Sequence, residues 1–211
     1  MKKLILMLLI LLLLTLPAFA LNPVYQVGEY WGENDGDQFG LGTAMGDFDN
    51  DGHDEFIIGA YGWNEGMSKN YYYHWDGDWP TDPLWTFQGD TPYYSYDIMD
   101  ENVGDFNDDG IDDFSLVLRN FDDMNRIDVL YGSTDFDSIP DWSDTIPNIV
   151  GLNELYRCDD VNGDGFDDIM ARYMVNGSTT QIHQLRIYNG GSDPDTIPDW
   201  LQSANWVNMF A

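Results

Sequence analysis

The chain is poor in basic residues and in cysteine. Its 211 residues include 8 Lys and Arg against 38 Asp and Glu, a formal net charge of −30 at pH 7. A surface of this charge repels nucleic acid and anionic membranes and attracts cations, so we expect no nucleic-acid partner. Cys158 is the single cysteine, with no second thiol for an internal disulfide. A disulfide-stapled scaffold is therefore excluded.

Long apolar runs are also scarce, and the main one lies at the N-terminus. Residues 4–16 are apolar apart from one threonine, follow two lysines and precede the small-x-small sequence AFA at 18–20. This order is that of a secretory signal peptide, with an uncleaved anchor as the alternative. We predict a signal peptide at 1–20 and a secreted, extracellular or cell-surface mature chain, the periplasm being also compatible with export. Because the run is short for a membrane span, we expect no membrane insertion after cleavage.

An acidic motif occurs three times along the chain. The sequence DFDNDGHDE at 47–55 returns as DFNDDGIDD at 105–113 and as DVNGDGFDD at 160–168, at intervals of 58 and 55 residues. A tryptophan follows the first Asp of each motif after 37 to 40 residues. Several marks that recur in the same order indicate a repeat architecture. Within a domain of 21–211, the predicted repeats span about 38–90, 96–148 and 152–205.

Each repeat has the pattern of four short strands. The apolar runs directly after the motifs are too short for helices, and Asn176-Gly177 is a hairpin signal. The two Ile-Pro-Asp-Trp segments start a further strand, with the proline at its edge. Four strands per repeat is typical of a propeller blade. We therefore predict an all-β fold of β-propeller blades with four antiparallel strands, about three of them, which makes a partial or truncated propeller.

The acids of each motif have the spacing of calcium ligands. A Ca²⁺ loop supplies side-chain oxygens at positions 1, 3 and 5, a turn glycine at 6 and a backbone carbonyl at 7, and here a further acid follows at 9. Clustered carboxylates become favourable once a dication lies between them. The predicted Ca²⁺ ligands are Asp47, Asp49, Asp51, His53 and Glu55, then Asp105, Asn107, Asp109, Ile111 and Asp113, then Asp160, Asn162, Asp164, Phe166 and Asp168.

Two alternatives to a calcium loop that leads into a strand fit the motifs less well. An EF-hand needs a bidentate Glu at position 12, where this chain has Ile58, Leu116 and Ala171. A solvated acidic turn, with Asp and Asn present for turn chemistry alone, is the simpler alternative. Three motifs in register, each with glycine at position 6, favour calcium. The acids at position 8 are expected to face water or a neighbouring backbone N–H, so that losing Asp112 has little effect.

Two dipeptides flank the first motif, Phe39-Gly40 before it and Gly59-Ala60 after it. With them, the first unit resembles the FG-GAP repeat of integrin-α-type β-propellers, although Tyr61 replaces the usual proline and Glu55 the usual Asp. The other two units keep the loop, lack both dipeptides and resemble bacterial secreted relatives of the repeat. The resemblance covers about residues 38–205.

The resemblance implies a closed propeller, commonly of seven blades. We therefore expect this chain to be part of a longer protein with further blades. A partial array completed by self-association is the alternative.

Three functions fit these features. The first is a secreted, non-catalytic recognition or adhesion module that binds calcium and an extracellular protein or glycan. The second is a polysaccharide-active lyase or hydrolase on a propeller scaffold. It is disfavoured because His53, His74 and His183 lie far apart in sequence and no Ser-His-Asp order appears. The third is a structural spacer array of a larger surface protein. We prefer the first and expect no enzymatic activity.

Overall fold

The structure, a computed structural model, describes most of the chain. The described residues are 28–88, 94–96, 101–120, 124–135, 137, 139–147, 149–175 and 182–205. The predicted signal peptide and the Asn176-Gly177 hairpin lie outside them. Among the described residues, no helix has the length and apolar character needed to span a membrane.

The described residues form thirteen strands and one helical turn, α1 at Trp63–Gly66. The strands are β1 Phe39–Gly46, β2 Glu55–Ala60, β3 Lys69–Tyr73, β4 Trp85–Gln88, β5 Tyr94–Tyr96, β6 Glu101–Gly104, β7 Asp113–Asn120, β8 Met124–Leu130, β9 Trp142–Pro147, β10 Ile149–Asp159, β11 Asp168–Val175, β12 Ile182–Tyr188 and β13 Trp200–Asn205.

These strands form three antiparallel sheets, one for each repeat. The first has the order β1-β2-β3-β4 and the third the order β10-β11-β12-β13. In the second sheet, β5 and β6 pair with opposite ends of β7 and together take the place of one edge strand, before β8 and β9. The prediction of an all-β fold built from four-stranded antiparallel units is confirmed, and such units are consistent with propeller blades.

The sheets pack against one another through alternate side chains of their middle strands. Successive side chains of a strand point to opposite faces, so Leu116 on β7 packs toward the first sheet and Val117 toward the third. Ile57 and Tyr72 of the first sheet meet Leu116, and Ile169 of the third lies in the cluster with Val117. All five are buried. The apolar cores thus lie between sheets, which fixes the relative positions of the loops at the strand ends.

In the second and third sheets, a repeated contact holds the residue directly after the third strand. The tryptophans at 85, 142 and 200 start β4, β9 and β13, as their sequence context predicts. In the second sheet, Asp141 donates its N–H to Val129 O (2.9 Å) and accepts the Tyr131 N–H (2.8 Å). In the third, Asp199 accepts the Asn189 N–H at 2.9 Å. In these two sheets, the residue directly after the third strand is therefore held in place beside the acidic loop.

Candidate metal centre

Each acidic motif forms the loop between the first and second strands of its sheet. Two positions in every loop have a left-handed backbone. At position 6, the φ angles are 90° at Gly52, 87° at Gly110 and 101° at Gly165. At position 4, the φ angles are 59°, 62° and 82°, for Asn50, Asp108 and Gly163. Glycine adopts this region freely and Asn and Asp tolerate it, which explains the residue types at both positions.

The same hydrogen bonds recur within each loop. In the first, Asp47 accepts the N–H groups of Asp51 and Gly52, both at 3.0 Å. Asp49 also accepts from Asp51 N–H (3.1 Å), and Asp51 accepts from His53 N–H (2.8 Å). The corresponding four bonds are all 2.9 Å in the second loop and 2.8 to 3.1 Å in the third. Each loop therefore turns its oxygens at positions 1, 3 and 5 inward, and the residue at position 7 closes the turn.

The carboxylates of the first loop lie close together. Oxygens of Asp47, Asp49 and Asp51 are all within 4.8 Å of one another. Among the described residues, groups of three acidic or imidazole side chains this close occur in the first loop alone. The other two loops have Asn107 and Asn162 at position 3, so their inner walls include a neutral amide oxygen.

The acid at position 9 is the first residue of the second strand and is completely buried. Glu55, Asp113 and Asp168 each have an exposed fraction of 0%. In each repeat one oxygen accepts the backbone N–H of position 2, at 3.1 Å for Glu55, 2.8 Å for Asp113 and 2.9 Å for Asp168. These contacts connect the beginning of each loop, at position 2, to the first residue of the second strand.

Burial makes the ionised form of these acids unfavourable. It raises the pKa of Asp113 to about 8. Burial, together with the negative charge of Asp49, raises the pKa of Glu55 to about 7. The pKa of Asp168 is also raised by burial. A buried carboxylate is stabilised in its ionised form by a nearby cation, so the acid at position 9 of each loop favours a bound dication.

The second oxygen of the position 9 acid has different surroundings in the first loop. Asp113 Oδ1 accepts the Gly132 N–H at 2.8 Å, and Asp168 Oδ1 accepts the Gly190 N–H at 3.0 Å. Glu55 Oε1 makes no hydrogen bond of ordinary geometry, although the backbone N–H of Trp75, the residue equivalent to Gly132 and Gly190, acts on the Glu55 carboxylate. Instead, His74 Nδ1 lies 3.4 Å from it and 2.9 Å from Asp49 Oδ2.

His74 is not among the ligands that the sequence predicts. Strand pairing places the residue after each third strand at an equivalent position, and these residues are His74, Tyr131 and Asn189. The signal that could have found His74 is therefore the alignment of the third strands across the repeats.

Two of the acids at position 8 connect neighbouring sheets. Asp167 Oδ2 accepts the Asp105 N–H of the previous loop at 3.0 Å and forms an ion pair with Arg157 at 2.8 Å. Asp112 accepts from Asn102 Nδ2 at 3.0 Å, and the same amide donates to a carbonyl of β1. The expectation that losing Asp112 has little effect on calcium binding stays a prediction, and this contact gives Asp112 a structural role as well, because it orients a side chain that links two sheets.

The segment from β1 through the acidic loop to the end of β3 is a complete unit of strand, loop, hairpin and flanking dipeptides. Residues 39–73 match the family model of the FG-GAP repeat. The FG-GAP repeat of this chain thus includes the whole first loop and ends one residue before His74, and the resemblance seen in the sequence is confirmed for this segment. An FG-GAP repeat indicates a β-propeller-type adhesion or recognition module. No curated protein matches the chain.

Proposed function

We propose that the chain is a secreted, non-catalytic recognition or adhesion module whose three acidic loops each bind Ca²⁺. The observation that carries the proposal is the carboxylate at position 9, which is fully buried in all three repeats beneath converging oxygens of positions 1, 3 and 5. A solvated acidic turn does not require a buried acid, whereas an ion site requires an acidic ligand on the inner side of the ion. Calcium is the dication that fits a flexible cage of oxygens.

The residues assigned to the ion are the carboxylate and amide side chains of positions 1, 3, 5 and 9, with the backbone carbonyl of position 7. Bound calcium supplies positive charge to acids that repel one another in its absence. Without the ion, hydrogen bonds to the backbone N–H groups of the loop keep the ligand oxygens in position. Calcium therefore stabilises the junction of the first and second strands in each repeat, and with it the face of the module on which the loops lie.

A binding surface for an extracellular protein or glycan lies beside the first loop. Met45, His53, Phe56, Trp75 and Trp79 line a cleft of about 280 Å³. Trp79 is 46% exposed and Met45 60% exposed. Aromatic side chains with exposed faces are suited to the apolar faces of sugars and to protein anchors. Further blades of a longer parent chain would extend this face.

Thermal unfolding with and without metal tests the proposal. Extracellular calcium modules bind at about 10⁻⁴ to 10⁻³ M. At ten times that dissociation constant, each site adds about 1.4 kcal/mol of stability. We expect a chelator to lower the melting temperature, Ca²⁺ to restore it, and Mg²⁺ to restore it poorly because magnesium prefers a tight octahedron with retained water. An unchanged melting curve in excess chelator contradicts the proposal.

A second experiment separates recognition from catalysis. Glycan and protein binding is measured in Ca²⁺ and in chelator, beside turnover of a panel of polysaccharides. Calcium-dependent binding without turnover supports a recognition module. Turnover of any polysaccharide contradicts the non-catalytic assignment.

A further inference from the structure

We propose that the first loop is a site for a transition-metal dication of the zinc class, held by Asp49, Glu55 and His74. At this loop the transition metal displaces the calcium ion of the proposed function, whereas the second and third loops lack this imidazole and keep the all-oxygen character of calcium sites. The inference rests on the proposed function only in assigning calcium to those two loops.

The three side chains already lie at the spacing of ligands to one ion. Their ligand atoms are all within 4.8 Å of one another, with His74 Nδ1 2.9 Å from Asp49 Oδ2 and 3.4 Å from Glu55 Oε1. Two ligands that are each about 2.1 Å from a tetrahedral zinc ion are about 3.4 Å apart. An ion therefore fits between these atoms with small side-chain adjustments.

Two of the ligand atoms have no hydrogen-bond partner of ordinary geometry. Glu55 is completely buried, yet its Oε1 accepts no such bond, and the buried Nδ1 of His74 likewise lacks one. Leaving a buried charged oxygen without a partner is unfavourable. In the second repeat, by contrast, the equivalent oxygen of Asp113 accepts the Gly132 N–H. In the first loop, Glu55 Oε1 thus lacks a well-placed donor or cation at the point where it faces His74 Nδ1.

The donor chemistry decides which ion meets that need. Calcium takes oxygen ligands, whereas an imidazole nitrogen suits zinc and related transition metals. Two carboxylates and a neutral imidazole carry a charge of −2, which balances a dication. The carboxylates of Asp47 and Asp51 lie close to Asp49 and are available as further oxygens.

Calorimetry on tag-free protein, with Ca²⁺ in excess, tests the inference. We expect the wild-type chain to bind one Zn²⁺. The variant His74→Asn, which copies the residue found at 189, should bind Zn²⁺ about 100-fold more weakly, since even supporting residues of zinc ligands are worth 10–100-fold in affinity. Equal zinc affinity in the two proteins, or no zinc binding by the wild type, overturns the proposal.

Nuclear magnetic resonance of the wild-type chain gives a readout that needs no variant. On addition of one equivalent of Zn²⁺, the Nδ1 resonance of His74 should shift, while those of His53 and His183 stay in place. A shift at either of the other histidines without one at His74 overturns the assignment. If the wild-type chain binds Zn²⁺ but its second and third loops do not bind Ca²⁺, the proposed function is contradicted and the proposed zinc site is not.

Discussion

The first and second acidic loops have the same backbone course and the same internal hydrogen bonds. The residues beside them, which follow the third strand of each sheet, differ. In the second, Asp113 receives N–H groups from both the loop and the residues that follow the third strand. In the first, one oxygen of Glu55 faces His74 and receives no hydrogen bond of ordinary geometry. A repeat can thus keep its scaffold while one residue beside the loop changes the chemistry of the site. Four changes to the protein or its conditions test this comparison and the positions of the acids on which it depends.

The largest effect is expected from removing the buried acid at position 9. Asp113→Ala leaves the N–H groups of Phe106, Asn107 and Gly132 without their acceptor, and we expect a loss of about 3 to 5 kcal/mol. Glu55→Ala removes the acceptor of Phe48 N–H, and about 1 to 2 kcal/mol is expected. Urea unfolding in chelator measures both. Equal losses would mean that the two acids are held alike.

The pH dependence of the metal-free chain is expected to be the next largest effect. The folded pKa of Asp113 is raised to about 8 and that of Glu55 to about 7, so the folded state binds protons more tightly than the unfolded state. The stability that they contribute is complete below about pH 4 and is lost as pH rises toward 8. Each unit by which a folded pKa exceeds the unfolded one lowers the free energy of unfolding at high pH by about 1.4 kcal/mol.

Urea midpoints at pH 5 to 8.5 in chelator measure this dependence. Asp113→Asn should lessen the decline throughout and remove it between about pH 7 and 8, whereas Glu55→Gln should lessen it only below about pH 7. A stability that rises across this window contradicts the placement of these acids. A decline that both variants retain would instead reflect repulsion across the whole surface.

Two neighbouring acids of the second loop test whether charge or position matters. Asp109→Asn removes the negative charge of a proposed calcium ligand, whereas Asp108→Asn removes an exposed charge one residue earlier, and Asn tolerates the left-handed backbone there. We expect about tenfold weaker calcium binding at this loop for the first variant, which corresponds to about 1.4 kcal/mol, and little change for the second. Calorimetry measures both. If the loop is a solvated acidic cluster, the two variants should bind calcium equally.

The smallest effect concerns the acids at position 8. Asp167→Asn weakens the contact with Arg157 and with the Asp105 N–H, which joins two sheets, and about 1 kcal/mol is expected. Asp54→Asn changes an exposed acid of the first loop, and the change should stay within about 0.5 kcal/mol. The urea midpoints of the two variants, each compared with that of the wild-type chain, measure these effects. If Asp54→Asn is the more damaging variant, the link between sheets does not depend on position 8.

The parts of the site that the sequence predicts are the local ones. Asp105, Asn107 and Asp109 act through bonds to residues two to five positions along, so their spacing alone encodes the turn. The tryptophans that start β4, β9 and β13 follow from a repeated Pro-containing segment. Asn50 and Asp108 at position 4 are also readable once the left-handed turn is known, because few residue types tolerate it.

The parts that the sequence does not reveal depend on packing between distant segments. His74 reaches the first loop because β3 ends beside it, and that end is set by strand pairing. The contact of Arg157 with Asp167 and the contact of Asn102 with Asp112 depend on how sheets meet, which local spacing does not encode.

The number of calcium ions that bind to one chain distinguishes three built sites from an acidic surface. Calorimetric titration of chelator-stripped protein, in zinc-free buffer, should give three saturable Ca²⁺ sites per chain, and the number should fall to two when one equivalent of Zn²⁺ is present. Weak calcium uptake that never saturates would contradict the assignment of ion sites to the loops, because an acidic surface attracts cations without selecting a number of them.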